Sequence, residues 1–313
     1  MISGIAVIGI GRWGQHVARN LYELGALSAY VDSIPIDFLD DLGVRRLSFD
    51  DLLKSEIPAA WVATPSVLHF NQVKQLLEHK KSVMVEKPMT LSLKDADLLQ
   101  SIADENGCQL LVDYLLCYHP AVSAMYEKVS SADVGDVQSI QIRRRNSIPA
   151  RDYETVWWDL GIHDLAWLYE LFKQPCTQIS GMQCSTYRKD FIDQAIVISK
   201  IGNIDVVHDV CWSSPVKEAS IAIYTTRGLL YFNDLECAEK KLVWYARCHE
   251  TGVLSDKALP IVLGTDQPLQ QSCRHFINVV SGLEKAKTTH KNYRPVMQAL
   301  ETFSLQMTKK ELA

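Results

Sequence analysis

The sequence has no run of eighteen apolar residues, no CxxC pair, no cluster of histidines, no internal repeat and no low-complexity segment. Each absence removes a class of protein. Without a long apolar run there is no signal for a membrane-crossing helix. The eight cysteines, at positions 108, 117, 176, 184, 211, 237, 248 and 273, lack the spacing of a zinc site or a redox dithiol, so no metal is expected. They read as small core residues of a reducing compartment. A strong field is missing too, because 22% of residues are charged and the formal net charge is only −5. Neither a nucleic acid nor an anionic membrane is therefore expected as a partner. The basic run Arg143-Arg144-Arg145 lies in a strand-like stretch and is too short to change that. Met1-Ile2-Ser3-Gly4 has neither the basic flank nor the cleavage site of a signal peptide, and a cytoplasmic location is the expectation.

What is present is enough apolar material for two cores, with 47% hydrophobic residues in a chain of 313, longer than one core usually spans. From Ile5 to about Tyr114, short apolar runs alternate with amphipathic segments. The runs are Ile5 to Ile8, Ala29 to Val31, Ala60 to Ala63, Ser82 to Val85 and Leu110 to Val112. This is the β-α-β rhythm of a parallel sheet covered on both faces. Ser48 and Ser92, each followed by first-turn carboxylates, read as helix caps. After Pro120 the rhythm changes to a helix near 121 to 130, a strand near 137 to 145, a helical stretch from Val156 to Phe172 and then several strand-like runs. Two helices, roughly Pro268 to Gly282 and Arg294 to Leu312, close the chain. The expected fold is α/β: a Rossmann parallel-sheet domain over 1–116, then an α+β domain over 117–313 with a large, mostly antiparallel sheet. The C-terminal helix is a candidate to pack back on the first domain.

The strongest local signal is Gly9-Ile10-Gly11-Arg12-Trp13-Gly14, which follows a strand-like run and opens a helix-like one. Gly9 suits a tight turn, Gly11 a close approach of backbone to a pyrophosphate, and Gly14 close packing of helix on strand. The helix N-terminus offers unpaired N–H groups and a positive dipole end to phosphates, with Arg12 and Trp13 in its first turn. Asp32, eighteen residues after Gly14, closes the next strand, where a carboxylate accepts hydrogen bonds from ribose hydroxyls and repels a 2'-phosphate. NAD is thus favoured over NADP, with Ser33 beside Asp32 softening the preference. Thr64-Pro65-Ser66 with His69, and Glu86-Lys87-Pro88, fall after later strands on the same ligand edge. Alone, they would read as a Ser66 helix cap with a surface histidine and as a solvated Glu-Lys pair. In the second domain, Asp159 and His163 stand at i, i+4, on one face if the stretch is helical.

Taken together, these motifs resemble the glucose-fructose oxidoreductase and inositol dehydrogenase family in order and approximate spacing. The resemblance implies NAD or NADP as cofactor, a sugar or polyol substrate, and a second-domain sheet that forms a homo-oligomer. Thr64, Pro65, His69, Glu86 and Lys87 would border the cofactor. Lys87, His163 and Asp159 would be catalytic, and a cis peptide before Pro88 would fit. A narrower resemblance runs through Gly11 to Gly14, Tyr22 to Leu27, Tyr118 to Val122 and Trp158 to Leu165. It points to members that oxidise nucleotide-linked amino sugars or uronates, although Asp113-Tyr114 stands where those members carry Gly-His. Ala166 stands where polyol members often carry a substrate-contacting aspartate, which speaks against inositol.

Oxidising a secondary alcohol needs a hydride acceptor, a base for the hydroxyl proton and a group that stabilises the developing alkoxide. NAD, His163 and Lys87 fill those roles, with the last two interchangeable, and Asp159 orients His163. In a regular strand from Ile140 to Asn146, Arg143 and Arg145 share one face and Arg144 takes the other. Arg145 and Arg151 are candidates for a diphosphate or uronate carboxylate; Tyr114 and Asp164 complete the candidate substrate contacts. Two other readings stay open: a dehydrogenase of a free sugar, polyol or cyclic diol, and a catalytically silent NAD-binding regulator.

Overall fold

Every apolar run in the first third of the chain is a strand in the computed structural model, which describes residues 4–149, 153–188 and 191–311. The strands are β1 (Ile5–Ile8), β2 (Leu27–Val31), β3 (Arg45–Arg46), β4 (Ala59–Val62), β5 (Ser82–Glu86) and β6 (Leu110–Asp113). They form one sheet in the order β3-β2-β1-β4-β5-β6, with every pair parallel. Their carboxyl ends therefore share an edge, and the strand order reverses between β1 and β4, the switch point at which such sheets bind ligands. The helices are α1 (Arg12–Glu23), α2 (Asp37–Asp41), α3 (Phe49–Lys54), α4 (Ser66–Glu78) and α5 (Leu93–Asn106). Ser48 caps α3 by accepting from Asp51 N, and Ser92 caps α5 by accepting from Asp95 N, as their positions suggest. The two-residue β3 has no apolar signature and was not foreseen.

After Tyr118 the chain forms α6 (Pro120–Ser130), β7 (Val137–Ser147), a π-helical turn over Trp157–Gly161 and α7 (Ile162–Phe172). Then follow β8 (Thr177–Cys184), β9 (Gln194–Ile201), β10 (Ile204–Cys211), β11 (Ser213–Thr225), β12 (Gly228–Asn233), β13 (Leu242–Ala246) and β14 (Leu259–Pro260). These eight strands make a second sheet, antiparallel except where β7 runs parallel to β10. The alternation along β7 is as expected: Arg143 and Arg145 both pair with Glu218, while Arg144 reaches the other way to Asp164 on α7.

The chain closes with α8 (Pro268–Val280) and α9 (His290–Glu311). One compact unit comprises Met1–Tyr118 together with Gln267–Arg294, and the other His119–Asp266 with Pro295–Ala313. This corrects the linear division at 116/117. The reason is the apolar face of α8. Cys273, Phe276 and Val279 are buried in one cluster with Ile10, Val17, Leu21 and Trp61, and the Phe276 ring meets Trp61 edge-on at 5.9 Å. All eight cysteines are free thiols. No helix among the described residues is long and apolar enough to cross a membrane.

In the second unit a buried ion pair ties α7 to its sheet. The Arg144 guanidinium donates to Asp164, whose side chain is fully buried, as is that of His208, 3.5 Å from the other Asp164 oxygen. Removing one member of such a pair leaves a buried charge uncompensated. Arg144→Ala is therefore expected to lower the stability of the protein by about 3 to 5 kcal/mol in denaturant unfolding. A loss below about 1 kcal/mol, the range of an exposed pair, would contradict this anchoring role.

Candidate active site

The glycine loop is built by close backbone approach. A Cβ at Gly14 would lie 1.9 Å from the Gly9 carbonyl oxygen, and one at Gly9 would meet Thr64 at 2.7 Å. Gly9 also has φ +85°, which L side chains rarely adopt. At Gly11, by contrast, a Cβ would meet nothing within 4 Å. Gly11 is the residue before α1, and no side chain caps the helix. The first-turn N–H groups thus open onto free space, the arrangement that suits an anion. Asp32 follows β2 on the same edge. Its Oδ2 accepts from Ile10 N at 2.6 Å and its Oδ1 from Ile34 N at 3.2 Å, with the Ser33 hydroxyl at 3.3 Å. Burial pushes this carboxyl up, but these donors outweigh it and hold the pKa below the usual value. Asp32 is therefore a fixed negative charge beside the loop. A pyrophosphate over α1 and ribose hydroxyls toward Asp32 fit the residues present.

Arg46 of β3 is a group that sequence reasoning missed. Its Nη2 donates to the Ser33 carbonyl at 2.8 Å and to that of Asp32 at 3.1 Å, placing a cation beside the turn after β2. No apolar periodicity marks a two-residue edge strand, so nothing in the sequence pointed to it.

His69 and Glu86 both fall on the edge but turn inward. His69 on α4 is 1% exposed rather than superficial, and its ring nitrogens lie 2.7 Å from the Thr64 carbonyl and 2.8 Å from that of Pro88. It braces the loop after β4 to the loop after β5 instead of facing a ligand. Burial depresses its pKa, against the pull of the two carbonyls. Thr64 spends its hydroxyl on Gln72 at 2.6 Å, and Pro65 precedes the first turn of α4. Glu86 Oε1 accepts from Trp13 Nε1 at 2.6 Å and from Trp61 Nε1 at 3.1 Å. This acid anchors the glycine loop to β5, while Arg12 stays exposed at the start of α1. Lys87 follows Glu86 directly, and the Lys87-Pro88 peptide bond is cis.

In the second unit, Asp159 lies in the π-helical turn and His163 in the first turn of α7. The expected regular helix is thus widened by one residue per turn at Asp159, a distortion frequent at functional sites. Gly161 permits it, since a Cβ there would lie 2.1 Å from the Trp157 ring. Asp159 is buried and accepts from Trp212 Nε1 at 2.9 Å.

The residues expected from sequence as substrate contacts are mostly buried or paired. Tyr114 is 2% exposed and its hydroxyl has no hydrogen-bond partner among the described residues. Asp164 is fully buried and held by Arg144. Arg145 faces Asp209 at 3.6 Å and Glu218 at 3.8 Å, acids that neutralise it from the neighbouring strands. Arg151 lies outside the described residues. Among the described residues no group of three or more His, Cys, Asp or Glu side chains could hold a metal.

Residues 3–114 match the GFO_IDH_MocA family, described as an oxidoreductase family with an NAD-binding Rossmann fold. Biliverdin reductase A of Homo sapiens is 35% identical over 109 residues, 33% of this chain and 37% of that protein. UDP-N-acetylglucosamine 3-dehydrogenase of Acidithiobacillus ferrooxidans is 26% identical over 163 residues, 51% of each. Its solved structure is similar with a TM-score of 0.85 at 20% identity, covering 98% of both chains. GenD2 from gentamicin A biosynthesis, solved in complex with NAD, has a TM-score of 0.82 at 21% identity, over 98% of this chain and 94% of that one. At such identities the structural likeness shows the fold alone, and in sequence the chain spans about half, or less, of the curated relatives it matches. Over residues 3–114 the chain is similar to the GFO_IDH_MocA oxidoreductase family, and its first unit has the parallel sheet of a Rossmann fold.

Proposed function

We propose that the chain is an NAD-dependent oxidoreductase that moves a hydride between the nicotinamide and a ring hydroxyl of a sugar, with nucleotide-linked amino sugars and uronates as the substrate class. The observation that carries this reading is the glycine loop, where an uncapped helix N-terminus opens beside the fixed carboxylate of Asp32. Bound NAD supplies the hydride acceptor. The α1 amides bind its pyrophosphate, and Asp32 binds the ribose hydroxyls while repelling a 2'-phosphate, with Arg46 reducing that repulsion. Lys87 and His163 are the acid–base pair: one takes the hydroxyl proton and the other stabilises the developing alkoxide, in either assignment. Asp159 orients His163.

The nucleotide-sugar class is supported by the relative named UDP-N-acetylglucosamine 3-dehydrogenase and by the motif likeness around Trp158 to Leu165. The same reading includes a homo-oligomer through the second sheet, where Met182, Ile196 and Ile198 are exposed at 65%, 44% and 48% and the first two are paired in register. A monomer in sedimentation velocity at micromolar concentration would contradict that part.

The test of the activity is turnover of UDP-N-acetylglucosamine, UDP-N-acetylglucosaminuronate, free inositol, glucose and glucose 6-phosphate with NAD or NADP. Activity with the nucleotide sugars, and tighter binding of NAD than NADP, are expected. Activity confined to the free compounds would overturn the substrate class, and binding of NAD without turnover of any sugar would favour a silent regulator. Lys87→Ala and His163→Ala should each lower the rate about 10²- to 10⁴-fold while retaining NAD. Near-normal turnover in either variant would remove that residue from the mechanism.

A further inference from the structure

Glu86 and Asp113 stand opposite each other at the carboxyl ends of β5 and β6, and the roles assigned above use neither as a ligand. The two indoles occupy Glu86 Oε1, and the Asp113 carboxyl lies close enough to Glu86 for the two charges to act on each other. Asp113 Oδ1 accepts from the Ser272 hydroxyl of α8 at 2.6 Å. Asp113 Oδ2 is buried, and no N–H or hydroxyl donor among the described residues reaches it. Ionised carboxylates only accept, so two of them cannot hydrogen-bond without a proton between them. Like charges this close also repel, and one of the pair gives up its ionisation. Three other titratable groups face the pair. Lys87, a cation, acts on Glu86 from the loop after β5; Tyr118, from the turn after β6, and Cys273, from α8, stay neutral because burial pushes both up.

We propose that Glu86 and Asp113 hold one shared proton at neutral pH, and that this proton fixes the Trp13 end of the glycine loop, making Asp113 a positioning residue for dinucleotide binding. The second half rests on the reading of that loop as the NAD site. With the proton in place, Glu86 is locked between Asp113 and the two indoles, so β5, β6, α8 and the start of α1 are joined through one acid. Without it, the buried Asp113 carboxylate confronts the half-buried Glu86 carboxylate, and Glu86 loses its fixed place under Trp13. Burial raises both acids, Asp113 to about 6 and Glu86 well above its usual value, the latter raised further by the Asp113 charge. The proton belongs to the pair and not to either residue. The folded pair binds it where unfolded carboxyls, with pKa values of about 4, have released it. The pair gives up its first proton near pH 6 and keeps the shared one through neutral pH; the contribution of that shared proton is lost only as pH rises through the higher of the two values.

The test follows the indole N–H signals of Trp13 and Trp61 by NMR between about pH 5 and pH 9, assigned with Trp13→Phe and Trp61→Phe, without cofactor. Both signals should move in one shared transition in the wild-type protein. They should stay still in Asp113→Asn, whose amide donates to Glu86 permanently while its oxygen still accepts from Ser272. Glu86→Gln should abolish the transition in the same way. Signals that do not move in the wild type, or that move equally in Asp113→Asn, would overturn the shared proton. NAD titrated at about pH 5.5 and pH 8.5 should bind the wild type about tenfold more weakly at the higher pH and Asp113→Asn nearly equally at both. Wild-type affinity independent of pH would overturn the positioning role. Failure of NAD to bind at either pH would instead overturn the dinucleotide-site reading, and the cofactor-free indole titration would still decide the proton.

Discussion

The contact on which the site depends is that of the Gly14 α-carbon with the Gly9 carbonyl. The space between them leaves no room for a methyl group. Because α1 can come this close to the end of β1, its first turn opens over the carboxyl edge of the sheet and not beyond it. The consequences spread along that edge. The Ile10 amide reaches Asp32, Gly9 lies against Thr64, and Trp13 comes within hydrogen-bonding distance of Glu86. A larger residue at position 14 would push the helix out and break these contacts together, since they share one short loop.

Each unit then holds its polar groups by burying their partners. In the first, His69 spans the carbonyls of Thr64 and Pro88, and Glu86 gathers two indoles and a second acid. In the second, Trp212 holds Asp159, and Arg144 holds Asp164 next to His163. Low-dielectric surroundings strengthen such contacts and make any unmatched member costly, so buried polar networks specify one geometry where satisfied. Lys87 and His163 are each adjacent in sequence to a residue held in this way. Their positions are therefore set by groups that need not touch a substrate.

The parallel strands of the first sheet and the glycine loop were legible because each rests on a local pattern: an apolar run, a glycine spacing or an acid after a strand. The cis bond at Lys87-Pro88 followed from the family resemblance, and the alternation of Arg143, Arg144 and Arg145 from a similarly short-range rule. The C-terminal helix is the sequence's candidate to pack back on the first core; that α8 does so is not legible, because Trp61, whose ring meets Phe276, lies more than two hundred residues earlier in the chain. The same limit explains Tyr114, Arg145 and Asp164. Residue type and spacing mark them as able to bind a ligand, but only the fold reveals that a core or a facing acid has already taken them. Asp113 stood out as a departure from the pattern of similar sequences, and its pairing with Glu86 shows the physical content of that departure. The π-helical turn had a weak trace, in a glycine four residues after a tryptophan whose ring needs the space.

Calorimetric titration of NAD into the wild-type protein and into Gly14→Ala tests most directly whether the glycine loop is a dinucleotide site. One NAD should bind per chain in the wild type, and binding should be lost in Gly14→Ala while circular dichroism shows both proteins equally folded. Equal NAD affinity in the two proteins, or no binding by the wild type, would contradict it.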